Sequence, residues 1–167
     1  MRIREGYVPG CIGRIAQLHA TYYAAHAGFG AAFEAKVASE LAAFCRDYVA
    51  GRDGLWLATE GNAIEASVVI DASHHAADGA HLRWFIASDR TRGSGVGTRL
   101  LAEALAFCDA RGYRTVYLWT FDQLHAARHL YQKHGFRLAH AQAGAQWGTL
   151  VNEQRFERAH PALAGLR

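Results

Sequence analysis

The clearest candidate for a functional site in the sequence is a glycine-rich turn, Arg92 to Thr98, which reads R-G-S-G-V-G-T. The turn follows an apolar, strand-like run and precedes a segment with the period of an amphipathic helix. The first N–H groups of a helix have no partner within it, and the helix dipole places partial positive charge there. Glycine lets such a backbone approach a phosphate closely, because no Cβ intervenes. The turn therefore predicts a site for a phosphorylated ligand.

The spacing of the glycines excludes two common phosphate sites. A dinucleotide fingerprint requires G-x-G-x-x-G, whereas Gly93, Gly95 and Gly97 read G-x-G-x-G. A nucleoside-triphosphate loop requires a lysine after its last glycine, and Thr98 stands there instead. The pattern that fits is R-x-x-G-x-G, which begins at Arg92.

This pattern resembles the pyrophosphate loop of the GNAT N-acetyltransferases. A second segment, Leu130 to Phe136, reads L-Y-Q-K-H-G-F and is similar to the L-Y-x-x-x-G-F signature of the same family. The two motifs stand in the family's order, with a predicted strand (Thr115 to Thr120) between them. The resemblance extends from about His81 to Leu138 and implies an enzyme that moves an acetyl group from acetyl-CoA.

The resemblance also implies how coenzyme A is held. Backbone amides of the loop and helix start are expected to bind the pyrophosphate, and Arg90 or Arg92 to add positive charge. The end of the preceding strand is expected to pair its backbone with the pantetheine amides, as an added strand does, and its N–H groups to bind the thioester oxygen. This pairing requires the sheet to part between that strand and the next. The predicted cofactor-binding residues are Ile86, Ala87, Arg92, Gly93, Ser94, Gly95, Val96, Gly97, Thr98 and Ala127.

Tyr131 occupies the family's position for the general acid that protonates the departing thiolate, a task that a tyrosine with its ordinary pKa near 10 can perform. The general base is left unassigned. Some family members use a glutamate on the strand before the loop, but that strand carries no carboxylate here. His81, Glu60, Glu65 and a chain of waters remain the alternatives.

One residue departs from the family pattern. Leu124 stands where family members often have an asparagine seven residues before the tyrosine. A leucine cannot make the polar contact of an asparagine with the cofactor. Asp122 and His125 are its uncertain substitutes, and Asp122 is also the predicted N-cap of the short helix that carries Tyr131.

His125 and His129 are spaced four apart on that helix, as metal ligands can be, but the glutamate of a zinc-protease helix is missing between them. They are predicted to face solvent, and no metal is expected. The three cysteines, Cys11, Cys45 and Cys108, form no C-x-x-C pair and are predicted to be reduced, buried thiols.

Composition places the chain among globular proteins, with 167 residues, 51% hydrophobic and 20% charged. It shows neither a membrane-spanning run nor a signal-peptide core, which predicts a cytoplasmic protein. The net charge of +3 is mild and the arginines are scattered, so nucleic acid is not an expected partner. Several short phrases, Q-W-G among them, also resemble acetyltransferase domains fused to MarR-type regulators. This length leaves no room for their winged-helix domain, so a stand-alone relative is expected.

The predicted order of strands and helices along the chain is β-α-α-β-β-β-α-β-α-β-β. The first strand is predicted at Met1 to Glu5, on an edge, and a helix opened by Pro9 carries an apolar stripe that includes Tyr22. The last two strands are predicted at Phe136 to His140 and Leu150 to Phe156. This order predicts a single α/β domain over residues 1–167, with a GNAT-like, mixed and mostly antiparallel sheet of six to seven strands flanked by about four helices.

The leading hypothesis is an acetyl-CoA-dependent N-acetyltransferase that transfers the acetyl group directly to a primary amine of a small molecule or peptide. The alternative is a sensor or interaction module that binds an acyl-CoA without turnover. A homodimer is possible. The sequence identifies neither the amine acceptor nor the acyl-chain preference.

Overall fold

The chain folds as one seven-stranded sheet with two helices on each face, in a computed structural model that describes residues 1–163. The strands and helices in chain order are β1 (Arg2–Glu5), α1 (Cys11–Ala27), α2 (Ala31–Arg46), β2 (Gly54–Glu60), β3 (Ala63–Asp71), β4 (Ala80–Ala87), α3 (Val96–Ala110), β5 (Thr115–Phe121), α4 (His125–Lys133), β6 (Arg137–Gly144) and β7 (Val151–Ala159). A single 3-10 turn, Asp89–Thr91, lies between β4 and α3.

The strands lie in the order β1-β2-β3-β4-β5-β7-β6. Every neighbouring pair is antiparallel except β4 and β5, which run parallel. A parallel pair needs a crossover connection, and α3 supplies it. The single parallel pair lies at the centre of the sheet, and the glycine-rich turn and α3 connect its two strands.

Two hydrophobic cores fill the space on either side of the sheet. One is built from α3, Tyr131 of α4 and the facing strand residues, and the apolar face predicted for α3 is buried in full. The other is built from α1, α2 and the opposite sheet face. The part of the sheet between β4 and β5 thus has α3, the helix that follows the glycine-rich turn, on one face, and α1 and α2 on the other.

The predicted element order and fold class are confirmed. β1 is the edge strand that was expected. Gly28, in the left-handed region at φ 69°, ends α1, and Gly135, at φ 91°, follows the C-cap of α4. These features are set locally, because only glycine adopts such backbone angles without strain.

Several predicted details are wrong. α1 begins at Cys11 with Gly10 as its N-cap, so Pro9 lies outside it. The N-cap of α4 is Leu124, and no side chain makes a capping hydrogen bond there. Asp122 is therefore not the N-cap. Leu124 packs into the α1–α2 core, not with Tyr131 on the other side of the sheet.

The last strands and two side chains also differ from expectation. β6 begins one residue later than predicted and both β6 and β7 run further, because they pair along most of their length. On α1 it is Tyr23, not Tyr22, that packs against the core. Cys45 is only partly buried, while Cys11 and Cys108 are buried, and all three thiols are free.

Among residues 1–163, no helix is long and apolar enough to cross a membrane.

Candidate active site

The central feature of the site is the parting of β4 from β5. The two strands pair at only two positions, Ala80 with Val116 and His81 with Tyr117, and then separate. The remainder of β4, through Ala87, keeps its antiparallel partner β3 on one side only. Peptide groups on the other side of β4 face a cleft, which is the opening that an added, strand-like ligand requires. Ile86 and Ala87 lie along this cleft at the end of β4.

A β-bulge redirects β4 within the cleft. The register with β3 shifts between Ser67 and Val69, so that β4 carries one extra residue there. Trp84 has a φ of 45° and is the only non-glycine residue with a positive φ in the described chain. The Ser67 hydroxyl donates to the Trp84 carbonyl at 2.7 Å and holds this conformation. Trp84 packs towards α1 and α2, and Phe85 towards α3.

The glycine-rich turn presents bare backbone at the end of the cleft. Gly93 and Gly95 adopt φ of 73° and 75°, and a Cβ built on either would enter open space. Within the described chain, the N–H groups of Gly93, Gly95, Gly97 and Thr98 donate to no protein acceptor. Unpaired donors beside a helix N-terminus and an open surface suit a phosphate group. The backbone of the turn thus fits the pyrophosphate of coenzyme A.

The first turn of α3 also brings the two sequence motifs together. Gly97 lies beside Phe85 of β4 and Leu130 of α4, to which a Cβ built on it would lie at ordinary contact distances of 3.5 and 4.0 Å. Ala127 lies on α4 and packs against the same core. Tyr131 follows Leu130 directly and is therefore held beside the cleft.

Tyr131 is buried with only 7% of its surface exposed, and its ring packs against Phe85, Phe136 and Phe156. It nevertheless lines the cavity described below. Burial, with a smaller contribution from Tyr23, raises the pKa of the Tyr131 hydroxyl above its ordinary value. The hydroxyl therefore keeps its proton at neutral pH, as a proton donor must.

The two arginines of the turn have different partners. Arg92 pairs with Asp89 at 2.8 Å and is largely exposed. Arg90 lies 3.3 Å from the carboxylate of Glu65, which is 1% exposed. Both guanidinium groups are at the surface, beside the loop.

Glu65 is a structural anchor that the sequence did not reveal. Its carboxylate accepts a hydrogen bond from Ser88, at the end of β4, and lies 3.6 Å from Arg14 of α1. The backbone N–H of Ser88 also donates to the Glu65 carbonyl at 2.7 Å. Glu65 therefore ties the start of the cofactor loop to α1, and a carboxylate so fully engaged is not a free base.

The other predicted bases also occupy defined positions. Glu60 ends β2 at an exposed position outside the cavity. His81 lines the cavity and stacks on Tyr117 with ring centroids 4.4 Å apart. Burial, and then the positive charges of Arg83, Arg155 and Lys36, lower the pKa of His81 well below its usual value. His81 is thus a neutral imidazole at neutral pH.

A cavity of about 140 Å³ lies on the α1–α2 side of the parted strands. Helices α1 and α2, strands β4 and β5 and the β6–β7 loop all contribute to its walls. The apolar side chains of the wall are Tyr23, Phe29, Phe33, Val37, Leu82, Trp84, Phe85, Leu118, Trp119, Phe121, Leu124, Tyr131 and Trp147. Its polar side chains are His19, Lys36, Glu40, His81, Arg83, Thr120 and Gln146. Because Phe85 and Tyr131 belong to this wall, the cavity adjoins the cofactor side.

His19 is a cavity residue that the sequence analysis missed. Its Nδ1 lies 2.8 Å from the carbonyl oxygen of Ile15, which can only accept, so Nδ1 carries the proton and Nε2 keeps its lone pair. Burial lowers the pKa of His19 to about 4, although the bond to Ile15 opposes this shift. The available signal was its spacing, four residues after Ile15 and four before Tyr23 on one helical stripe.

The described part of the chain brings no set of metal ligands together. Residues 1–163 contain no group of three or more histidine, cysteine, aspartate or glutamate side chains that could hold an ion. His125 and His129 are exposed on α4, as predicted. None of the three cysteines lines the cavity.

The geometry agrees with what comparison with known proteins shows. The sequence profile of the Acetyltransferase (GNAT) family matches residues 15–136. No curated protein sequence matches the chain significantly. Among solved structures, an acetyltransferase of the GNAT family from Staphylococcus aureus Mu50 superposes with a TM-score of 0.73 at 16% identity, covering 95% of this chain and 99% of that one.

Two further structures have the same fold. The spermidine N-acetyltransferase SpeG of Vibrio cholerae, solved as a point mutant, gives a TM-score of 0.70 at 14% identity and covers 99% of both chains. The yncA protein of Salmonella typhimurium, solved with its cofactor acetyl-CoA, gives 0.69 at 13% identity, covering 95% of this chain and 93% of that one. At these identities the structures show the fold, and the profile match over most of the sequence shows the family. The chain belongs to the GNAT acetyltransferase family.

Proposed function

We propose that the protein transfers an acetyl group from acetyl-CoA directly to a primary amine bound in the cavity between α1, α2 and the parted strands. The observation that carries this proposal is the parting of β4 from β5, with a glycine-rich turn at its end and Tyr131 at its side. One cleft therefore adjoins a backbone cradle, a buried hydroxyl and an acceptor cavity.

The cofactor is proposed to bind mainly through backbone. The turn from Arg92 to Thr98 would hold the pyrophosphate, with Arg90 and Arg92 beside it. Ile86 and Ala87 would pair with the pantetheine arm, and Ala127 would border it from α4. When bound, acetyl-CoA supplies a thioester carbonyl that an amine can attack. The unpaired side of β4 offers N–H groups to the oxygen of that carbonyl.

Tyr131 is proposed to donate its proton to the departing sulfur. Its raised pKa keeps it protonated, and its place between the α3–α4 core and the cavity puts it at the junction of the two substrates. Leu124, at the N-cap of α4, offers only apolar contact.

The amine must reach the thioester uncharged. His19 and His81 are neutral imidazoles on the cavity wall, and the Nε2 lone pair of His19 can accept an amine N–H. Neither is assigned as the base. Since no cysteine lines the cavity, direct attack is favoured over a covalent acyl-enzyme.

The acceptor is proposed to be a small molecule or a peptide end, not nucleic acid. Homodimerisation and a cytoplasmic location remain predictions, as does the likeness to domains fused to MarR-type regulators. Light scattering of the purified protein tests the dimer.

Calorimetric titration with acetyl-CoA tests the cradle, using wild type, Gly95→Glu and Gly112→Glu. Both glycines have positive φ (75° and 70°) and open space for a Cβ, but Gly112 lies at the other end of α3. The backbone strain is therefore matched, and only Gly95→Glu sets a carboxylate against a phosphate. We expect one-to-one binding that weakens at least a hundredfold in Gly95→Glu alone. Equal loss in both variants, or no binding by wild type, contradicts the proposal.

Turnover separates an enzyme from an acyl-CoA sensor. Release of free thiol is measured with acetyl-CoA and a panel of amines, and the acetylated amine is identified by mass spectrometry. Amine-dependent release supports the enzyme. Tight binding of acetyl-CoA without release for any amine would support the sensor.

A further inference from the structure

We propose that the acceptor is an amine that carries an apolar body and a carboxylate, which is the chemistry of an apolar amino acid. The inference rests on the proposed function and deepens it by naming the substrate class.

A cluster of aromatic side chains in the cavity wall indicates that the acceptor has an apolar body. The ring centroids of Phe29 and Phe33 are 5.0 Å apart, and those of Phe121 and Trp147 are 5.8 Å apart. Tyr23 packs on Phe29 at 5.7 Å. Such a wall stabilises apolar and aromatic groups and gives little to a hydrated, highly charged chain.

The carboxylate is indicated by the polar residues contributed by α2 and β4. Lys36 donates to Glu40 at 2.8 Å, and Arg83 donates to the other oxygen of the same carboxylate. Burial alone would raise the pKa of Glu40, but the hydrogen bonds and charges of these two cations hold it below its usual value. Glu40 is thus an ionised group with both oxygens engaged.

Hydrogen-bond donors remain in excess at this end. A lysine ammonium has three N–H donors and an arginine five, and Glu40 takes one from each. The second nitrogen of Arg83 lies 3.7 Å from Asp71, beyond hydrogen-bond length. Lys36 and Arg83 are both partly buried, with side chains 33% and 21% exposed. A carboxylate on the acceptor would satisfy donors that the protein leaves unpaired.

The described residues of the cavity wall offer no free carboxylate to the additional positive charges of a polycationic acceptor. Among the described residues that line the cavity, Glu40 is the one carboxylate, and it is already paired twice. An amine with further positive charges would meet Lys36 and Arg83 without a free anion. The cavity therefore disfavours polyamines.

The three groups of such an acceptor would contact three different parts of the wall. The carboxylate would lie at Lys36 and Arg83, the body against the aromatic cluster, and the amine beside Tyr131. Three distinct contacts around one carbon atom distinguish its mirror images. We therefore expect one enantiomer to be acetylated at least tenfold faster than the other.

The test is thiol release with acetyl-CoA and matched acceptors: both enantiomers of phenylalanine, leucine, methionine and tryptophan, the amide of phenylalanine, and spermidine. The amide keeps the shape and amine of phenylalanine but lacks the negative charge. We expect at least tenfold higher kcat/KM for the best amino acid than for its amide, and still less activity with spermidine. Equal use of acid and amide, or preference for spermidine, overturns the inference while leaving acetyl transfer intact.

Lys36→Gln tests the assigned donor, with Lys133→Gln as the control because it removes the same charge from an exposed position on α4. Lys36→Gln is expected to abolish most of the preference for acid over amide, whereas Lys133→Gln is expected to keep that preference. An unchanged preference contradicts the assignment.

Calorimetry of these amino acids on the protein saturated with coenzyme A separates the two levels of the proposal. Amino-acid binding without turnover would refute acetyl transfer and support the acceptor class. Turnover confined to amines without a carboxylate would support acetyl transfer and refute the proposed acceptor class.

Discussion

The two sides of the active site are built from different parts of the chain. On the cofactor side, the turn from Arg92 to Thr98 and the end of β4 present peptide groups, and glycine matters there because it exposes them. On the acceptor side, the cavity wall consists of side chains from α1, α2, β4, β5, α4 and the connecting loops. In the proposed function, backbone groups would therefore bind most of coenzyme A, and side chains would bind the amine.

This difference explains which side a sequence motif can reveal. Backbone contacts depend on conformation, so a short pattern of glycines at fixed spacing marks them. Side-chain contacts depend on residues that the fold alone assembles, such as His19, Lys36 and Arg83. A relative can therefore keep its cofactor loop and change its acceptor. Substitutions on each side should therefore affect different measurements.

Tyr131→Phe is expected to lower kcat about a hundredfold with little change in the Kd of acetyl-CoA, because a general acid acts in the reaction and not in binding. Steady-state kinetics and calorimetry measure the two effects. Tyr113→Phe is the control, since it removes a hydroxyl that donates to the Arg52 carbonyl away from the cavity. A comparable fall in kcat for both variants would contradict an acid role for Tyr131.

His19 is expected to make stability depend on pH. Its pKa falls from the ordinary 6.5 to about 4 in the folded state because burial disfavours the charged ring. The unfolded chain therefore binds the proton more readily, and stability is lost as the pH falls from 6.5 towards 4, by about 2 kcal/mol at pH 5.

Denaturant unfolding at pH 7.5 and pH 5.0 measures that loss. In His19→Asn the decrease should be about 2 kcal/mol smaller than in wild type. His26→Asn, at an exposed position on the same helix, should behave as wild type. If His19→Asn retains the full decrease, His19 is not its source.

Glu65→Gln is expected to weaken acetyl-CoA binding about tenfold, since the charged partner of Arg14 and Arg90 is lost and Ser88 is held less firmly. Glu103→Gln, an exposed change of the same charge on α3, serves as the control. Calorimetry provides the Kd. Because Glu65 joins the loop to α1, this variant tests whether the two sides are mechanically separate. Unchanged binding would show that the loop keeps its shape unaided.

Trp147→Ala is expected to raise the KM of the acceptor roughly fivefold, by loss of aromatic contact worth about 1 kcal/mol, and to leave the Kd of acetyl-CoA unchanged. Tyr7→Ala, a 61% exposed position, is the control. A weaker affinity for acetyl-CoA in Trp147→Ala would mean that the acceptor wall also shapes the cofactor side.

Much of the fold follows from local signals. The buried face of α3 (Val96, Leu100, Leu101, Ala104, Leu105 and Cys108) has the period of the amphipathic helix predicted there, because helical periodicity reports burial directly. Errors arose where one element meets another. Asp122 has the chemistry of an N-cap, yet α4 begins three residues later, where Leu124 packs into the acceptor-side core.

Local sequence patterns were enough to predict the order of the elements, the positions of the glycine-rich turn and Tyr131 in that order, and the family. Each rests on neighbouring residues: a helix period, a glycine at positive φ, or a short motif. Only the tertiary structure shows that β4 leaves β5 after His81, that a bulge interrupts β4 at Trp84, and that His19, Lys36 and Arg83 share one wall. These depend on strand register and on contacts between residues far apart in the chain, which no local pattern encodes.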